Sequence, residues 1–216
     1  MSDLNQLPIP IVTPRLSKSK FLAGLQCHKR VYLDVHHPNW ASPPDPSTQA
    51  ILDMGTEIGE RARCRFPGGV LIGEGYRQRE AALAHTASAV ADLTIPAIFE
   101  GAFLYDGVLV RVDILERVRG NEGEQLGWRL IEVKSSSRVK DVHLYDLAIQ
   151  RYVLQGAGLT VLSACLMHLN SQYVYRGDVL DLDALFKLQD MTELVAARGI
   201  DLPGQLVPMQ QAVLRS

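Results

Sequence analysis

With 216 residues, 47% of them hydrophobic, the chain is long enough to bury a substantial core within one domain. The 22 Lys and Arg against 24 Asp and Glu leave a net charge of -2, which excludes a histone-like or tail-type polycation and makes any nucleic-acid contact a local one. Three cysteines without a close pair (Cys27, Cys64, Cys165) exclude a disulfide framework and a paired-cysteine zinc site, and no run of about 18 apolar residues is present to span a membrane.

Residues 1–14 are dotted with prolines and read as an extended arm, with neither a basic stretch nor an apolar run of the kind a signal peptide needs, so a cytoplasmic location is expected. A single domain is expected over 15–198, and 199–216 reads as a loosely ordered tail. Ser17 or Ser19 is placed to cap a helix running through Phe21, Leu22, Leu25 and Val31 to Leu33. Lys18, Lys20, His28, Lys29 and Arg30 fall within thirteen residues of it. They could contact phosphates, Arg30 among them, or they could form a solvated face whose arginine pairs with a local acid. Four prolines between Pro38 and Pro46 make a loop there. The adjacent His36 and His37 have no second ligand pair at metal-binding spacing.

A helix follows from Ser47 to Phe66. Its Gly55 and Gly59, one turn apart, suggest that another element approaches closely, because each glycine weakens a helix by roughly 1 kcal/mol relative to alanine. Pro67-Gly-Gly turns the chain into a short Val70–Ile72 strand, and Gln78–Leu93 reads as an alanine-rich helix. Strand-like segments Ala97–Tyr105 and Val108–Val118 flank Asp106-Gly107, a dipeptide suited to a type I′ hairpin turn. That turn pairs Tyr105 with Val108 and sets Glu100 across from Asp113, with Cβ atoms roughly 4.5 to 5.5 Å apart. Two opposed carboxylates repel, so a cation or a shared proton is needed between them.

The polar stretch Arg119–Gly127 is a longer loop. If it closes symmetrically between Glu122 and Gly123, Glu132 pairs with Asp113. Along Trp128–Lys134, Leu130, Glu132 and Lys134 share one face and Ile131 and Val133 the other, and apolar residues on both faces mark a central strand. Ser135–Ser137 offers an N-cap for a helix over about 138–155 whose expected buried stripe is Val142, Tyr145, Ile149, Tyr152 and Val153. His143, Asp146 and Gln150 form a separate polar ridge. Leu159–Asn170 reads as a strand buried on both faces, Tyr173–Tyr175 as a hairpin partner for it, and Asp181–Arg198 as a final helix. This order of elements predicts an α/β fold, a mixed central sheet flanked by helices.

Asp113 and Glu132 offer hard oxygen donors for a divalent ion, magnesium or manganese, and the main-chain carbonyl of Val133 adds a third. Lys134 is an ammonium placed to orient an attacking water or to stabilise charge, and Glu100 could ligate directly or through water. The plain alternative is an ion-pair lattice of these acids with Arg111 and Lys134.

Glu100, Asp113 and Glu132-Val-Lys134, followed by a helix bearing Gln150, resemble the PD-(D/E)XK nuclease superfamily, above all its RecB-like branch and the exonucleases of CRISPR spacer acquisition. The segment Leu16-Ser-Lys-Ser-Lys-Phe-Leu-Ala-Gly-Leu-Gln-Cys-His-Lys-Arg30 is similar to that branch's N-terminal segment. The resemblance covers roughly residues 15–175 and is closest to an uncharacterised bacterial domain family of the superfamily. It implies a restriction-endonuclease-like αβββαβ core and Mg²⁺- or Mn²⁺-dependent cleavage of DNA, with RNA not separated from DNA by the sequence. It further implies metal binding at Asp113 and Glu132, catalysis by Lys134, support from Glu100, substrate or active-site contacts from Gln150, and substrate contacts from Tyr152.

The chain departs from the branch's pattern in three places. Gly55-Thr-Glu-Ile-Gly59 stands where a helix histidine is common, leaving only Glu57 or Glu60 as carboxylates nearby. Tyr152 is offset from its usual place after the glutamine. Cys27 has no cysteine triplet later in the chain, so no iron-sulfur cluster is expected. The missing histidine keeps a second reading open, a nucleic-acid-binding or assembly module that retains the fold without turnover.

Overall fold

The computed structural model describes residues 16–120, 126–177 and 179–214. The expected arm at 1–14 and the turn at Glu122–Gly123 lie outside the described residues. In chain order the elements are β1 (Leu16–Ser17), α1 (Lys18–Gln26), α2 (His28–His36), a 3-10 turn (Pro38–Trp40), α3 (Pro46–Arg63), β2 (Val70–Leu71), α4 (Arg79–Ala91), β3 (Ala97–Tyr105), β4 (Val108–Arg119), β5 (Leu126–Lys134), α5 (Asp141–Gly156), β6 (Val161–Leu169), α6 (Leu182–Leu185), β7 (Phe186–Asp190), α7 (Thr192–Gly199) and α8 (Leu202–Leu214). The fold is α/β. A seven-stranded mixed sheet runs in the order β2-β3-β4-β5-β6-β7, with β1 parallel to β4, and the run α4-β3-β4-β5-α5-β6 is the expected αβββαβ core.

The hairpin chemistry sets the centre of this sheet. Asp106 and Gly107 both have positive φ, 47° and 69°, as a type I′ turn requires, and Tyr105 pairs with Val108. Pairing of β4 with β5 runs from Arg119 opposite Leu126 to Ile114 opposite Ile131, which sets Glu132 level with Asp113 one step beyond the last pair. Leu130 and Ile131 are both fully buried, the first in a large core against the α1, α5 and α8 side of the sheet, the second in a smaller core with Phe99, Ile114 and Met167. The strand carrying Glu132 and Lys134 is therefore held from both faces.

Side-chain donors close the gaps between layers. Arg117 donates to the carbonyls of Val90, Asp92 and Ile95, which ties the C-terminal end of α4 to the sheet, and its guanidinium lies 4.2 Å from the centre of the Trp128 ring. Arg111 donates to the carbonyls of Ile72 and Glu74 at 2.7 and 2.8 Å, so it is committed to the turn after β2 and not to the acids.

Several local expectations change. The helix expected to run unbroken to Leu33 is two helices, because Cys27 adopts an extended backbone (φ -164°, ψ 118°) between α1 and α2. Ser135–Ser137 does not cap α5; that helix starts at Asp141, where the Lys140 N–H meets His143 Nδ1 at 3.2 Å. Val142 is exposed, whereas the ridge of His143, Asp146 and Gln150 is buried. The edge partner of β6 is β7, formed by residues expected to be helical, and Tyr173–Tyr175 makes no strand.

The expected tail forms α8, whose Leu202, Leu206, Met209 and Val213 are buried in the large core, so 202–214 belong to the domain. Burial of four apolar side chains at helical spacing offsets the entropy of ordering this segment. No helix among the described residues is long and apolar enough to cross a membrane.

Candidate active site

Glu100 and Asp113 occupy the one step of the β3–β4 ladder where pairing lapses, between Phe99 opposite Ile114 and Gly101 opposite Val112. Glu100 has φ +55°, a left-handed conformation that is strained for a residue with a Cβ and that breaks the strand's alternation. Glu100, Asp113, Glu132, Val133, Lys134 and Ser135 line one side of a cleft of about 380 Å³. The facing wall is α3, with Leu52, Gly55, Thr56, Gly59 and Arg63. Nothing lies within 4 Å of where a Cβ would stand on Gly55 or Gly59. The two glycines thus border open space in the cleft, and none of the described residues packs on them.

Within this cleft the Asp113 carboxylate accepts from the Val133 N–H at 2.8 Å, so the end of β5 and the acid on β4 are joined directly. Glu132 is only 2% exposed. Its Oε1 accepts from Lys134 Nζ at 2.6 Å and from Lys18 Nζ at 3.0 Å, and its Oε2 accepts from Gln150 Nε2 at 2.7 Å and again from Lys18 at 3.0 Å. Lys134 also donates to Asp146 Oδ2 at 2.5 Å, and Lys18 lies 3.5 Å from Asp146 Oδ1. Gln150 is fully buried and donates a second bond to the Asp146 carbonyl at 3.0 Å.

Glu132 and Asp146 share two ammonium groups, Lys18 and Lys134, and the third carboxylate, Asp113, lies close enough to feel both charges without pairing with either. Burial, then the neighbouring Glu132 charge, pushes Asp113 up to about 7, and the same two causes push Asp146 up to about 6. Glu132 goes the other way. Burial opposes its ionisation, but the Lys18 and Lys134 ammoniums outweigh that and hold it well below the usual carboxylate range. Both lysines are raised: burial lowers them, and the surrounding carboxylates more than restore the charge. With all three acids ionised the cluster is short of one positive charge, and below about pH 7 a proton on Asp113 supplies it.

Of the residues expected at the site, Glu100, Asp113, Glu132, Val133 and Lys134 come together on the cleft, and Gln150 joins them from α5. Gln150 is buried against Glu132, which is the active-site contact of the two expected for it and leaves its side chain away from the surface. Tyr152 is elsewhere: its hydroxyl donates to Asp106 at 3.0 Å and its ring packs edge-on against Tyr105, at the hairpin tip. Arg30 is elsewhere too, on the exposed face of α2, donating to Gln26 at 2.9 Å and lying 4.0 Å from Asp34. That is the solvated-face arrangement.

Lys18 and Asp146 were not expected as members of the cluster. Lys18 stood among five basic residues with nothing to single it out, and Asp146 stood in a polar ridge of the kind that ordinarily faces water.

The donor set bears on which cation the cluster would take. No group of three or more His, Cys, Asp or Glu side chains is gathered as a ready-made cage among the described residues. Two carboxylates and one main-chain carbonyl, all hard oxygens beside an open cleft, fit an ion that keeps several of its own waters, as magnesium does. Compared with known proteins, the chain matches no protein-family model and no curated protein.

Proposed function

We propose that this chain is a divalent-metal-dependent nuclease that hydrolyses phosphodiester bonds, with DNA the leading substrate, in the manner of the PD-(D/E)XK enzymes its motifs resemble. The observation that carries the reading is the charge balance: three acids converging from β4, the end of β5 and α5, only two ammonium groups among them, and an open cleft alongside. Leaving a carboxylate partly desolvated without a partner opposes folding, so a fold that builds such a cluster gains from a cation it does not itself supply.

Asp113, Glu132 and the Val133 carbonyl would hold that cation, with Glu100 close enough to the cleft to engage it through water. When bound, Mg²⁺ or Mn²⁺ polarises the phosphoryl group and makes a water nucleophilic near neutral pH. The chain's own groups supply the rest. Asp146 fixes the Lys134 ammonium at the cleft, where it orients the attacking water and offsets charge developing on the phosphorane. Gln150, donating to Glu132 from a fully buried position, holds that carboxylate in one orientation. Gly55 and Gly59 leave room along α3 for a sugar-phosphate chain, and Arg63 offers it a cation from the same wall.

The test is incubation of chelator-treated protein with end-labelled single- and double-stranded DNA and with RNA, in Mg²⁺ and in Mn²⁺. Cleavage that needs the metal and falls at least a hundredfold in both Asp113→Asn and Lys134→Ala supports the reading. Cleavage that survives both substitutions, or its absence from the wild type in both metals, overturns it. In the second case, retained nucleic-acid binding would favour a non-catalytic module.

A further inference from the structure

The acceptor capacity of Glu132 is full. A carboxylate offers about four lone-pair positions, and four hydrogen bonds take them: one from Lys134, one from Gln150 and two from Lys18. A divalent ion that ligates Glu132, as the nuclease reading requires, must displace one of these donors.

The three donors are not equally anchored. Lys134 is held from its other side by Asp146 Oδ2 at 2.5 Å, and Gln150 is fully buried with a second bond to the Asp146 carbonyl. Among the described residues Lys18 hydrogen-bonds only to Glu132. Its remaining partner, Asp146 Oδ1, is 3.5 Å away and accepts no hydrogen bond. Its side chain is 22% exposed, so part of the stem reaches solvent while the ammonium lies buried among the acids.

The backbone beneath Lys18 stays fixed whichever way the side chain points. Leu16 and Ser17 pair with Val108 and Leu109 of β4, Ser17 Oγ accepts from the Lys20 N–H at 3.4 Å, and Phe21 is fully buried. A long flexible stem on a fixed helix start can withdraw its charge without unfolding anything.

We infer that Lys18 is a built-in counter-ion of the acid cluster, seated on Glu132 in the metal-free protein and displaced from it when a divalent cation binds. It balances charge while the site is empty and competes with the metal for the same oxygens, which sets the metal concentration at which the site fills. The inference rests on the divalent site proposed above and assigns Lys18 a role that the strand motif does not contain.

The test is Mn²⁺ affinity of the chelator-treated full chain, read from the electron paramagnetic resonance signal of free Mn²⁺, for wild type, Lys18→Met and Lys18→Arg. Methionine keeps the stem's packing and removes the charge. Arginine keeps the charge and grips a carboxylate through two parallel bonds. The expected order of affinity is Lys18→Met, then wild type, then Lys18→Arg, with at least a tenfold gain for methionine. Circular dichroism establishes that each variant is folded.

Equal affinities, or a weaker Lys18→Met, would overturn the inference while leaving the metal site standing, since the lysine would then not compete. If no variant binds Mn²⁺, Lys18→Met included, the divalent site itself is wrong and the inference goes with it.

Discussion

Asp113→Asn should stabilise the metal-free protein at pH 8 and remove its response to metal. The amide is isosteric with the carboxyl, and its carbonyl oxygen still accepts from the Val133 N–H, so the link between β4 and β5 survives. What changes is the charge balance, which moves from three acids against two ammoniums to two against two.

A carboxyl raised from 3.8 to about 7 resists ionisation in the folded state. At roughly 1.4 kcal/mol for each tenfold change in proton affinity, that resistance is on the order of 4 kcal/mol. Glu132 and Asp113 interact strongly and divide it between them, so we expect a gain of about 2 kcal/mol for the variant.

The sign follows from proton counting. Between about pH 4 and 7 the folded protein holds the Asp113 proton more tightly than the unfolded chain does, so wild-type stability falls across that window as pH rises. The advantage of Asp113→Asn is therefore near zero at pH 4, partial at pH 5.5 and complete by pH 8. Urea denaturation in chelator at these three values measures it. In saturating Mn²⁺ the order reverses at pH 8: the wild type gains about 2.7 kcal/mol when metal is at a hundred times its dissociation constant, and the variant gains nothing. A variant no more stable than wild type at pH 8 in chelator would refute the charge-deficit argument.

Leu206→Ala, at a fully buried position of α8, should lower stability by about 2 to 4 kcal/mol in a thermal or urea melt, whereas a loosely attached tail would lose nothing. Thr86→Val removes a buried hydroxyl that donates to the Ala82 carbonyl and accepts from the Ala102 N–H at 3.0 Å; leaving that N–H unmatched should cost about 1 to 3 kcal/mol in the same assay. Gly55→Ala and Gly59→Ala each meet open space in the middle of α3, so each should raise stability by about 0.5 to 1 kcal/mol. A loss at either position would mean that the cleft wall is packed against something.

The parts of this molecule that local chemistry dictates were legible in its sequence. Asp106-Gly107 could make one kind of turn, and that turn fixed the alignment of β3 with β4, which in turn brought Glu100 level with Asp113. The apolar residues on both faces of Trp128–Lys134 placed Glu132 and Lys134 at the end of a central strand.

What escaped depended on contacts between distant residues. Phe186–Asp190 alternates apolar and polar residues, but over too short a run between helix-like neighbours to mark a strand by itself, and it becomes one because β6 presents an edge. Residues 202–214 contain Pro208, which argues against a helix interior, and they fold because α1, α2 and α5 offer an apolar surface. Lys18 enters the acid cluster across 114 positions of chain, and no spacing rule could have chosen it over Lys20 or Lys29. Gly55 and Gly59 suggest a close approach that none of the described residues makes, because helix spacing marks a small residue without saying what stands beside it.

The claim that a divalent cation completes the Asp113–Glu132 cluster is tested most directly by Mn²⁺ affinity measured between pH 5.5 and 8.5. Binding must displace the proton that Asp113 holds up to about pH 7, so affinity should climb about tenfold per pH unit at the acid end and level off above 7, with the climb abolished in Asp113→Asn. Affinity independent of pH, or equal in wild type and Asp113→Asn throughout, would contradict it.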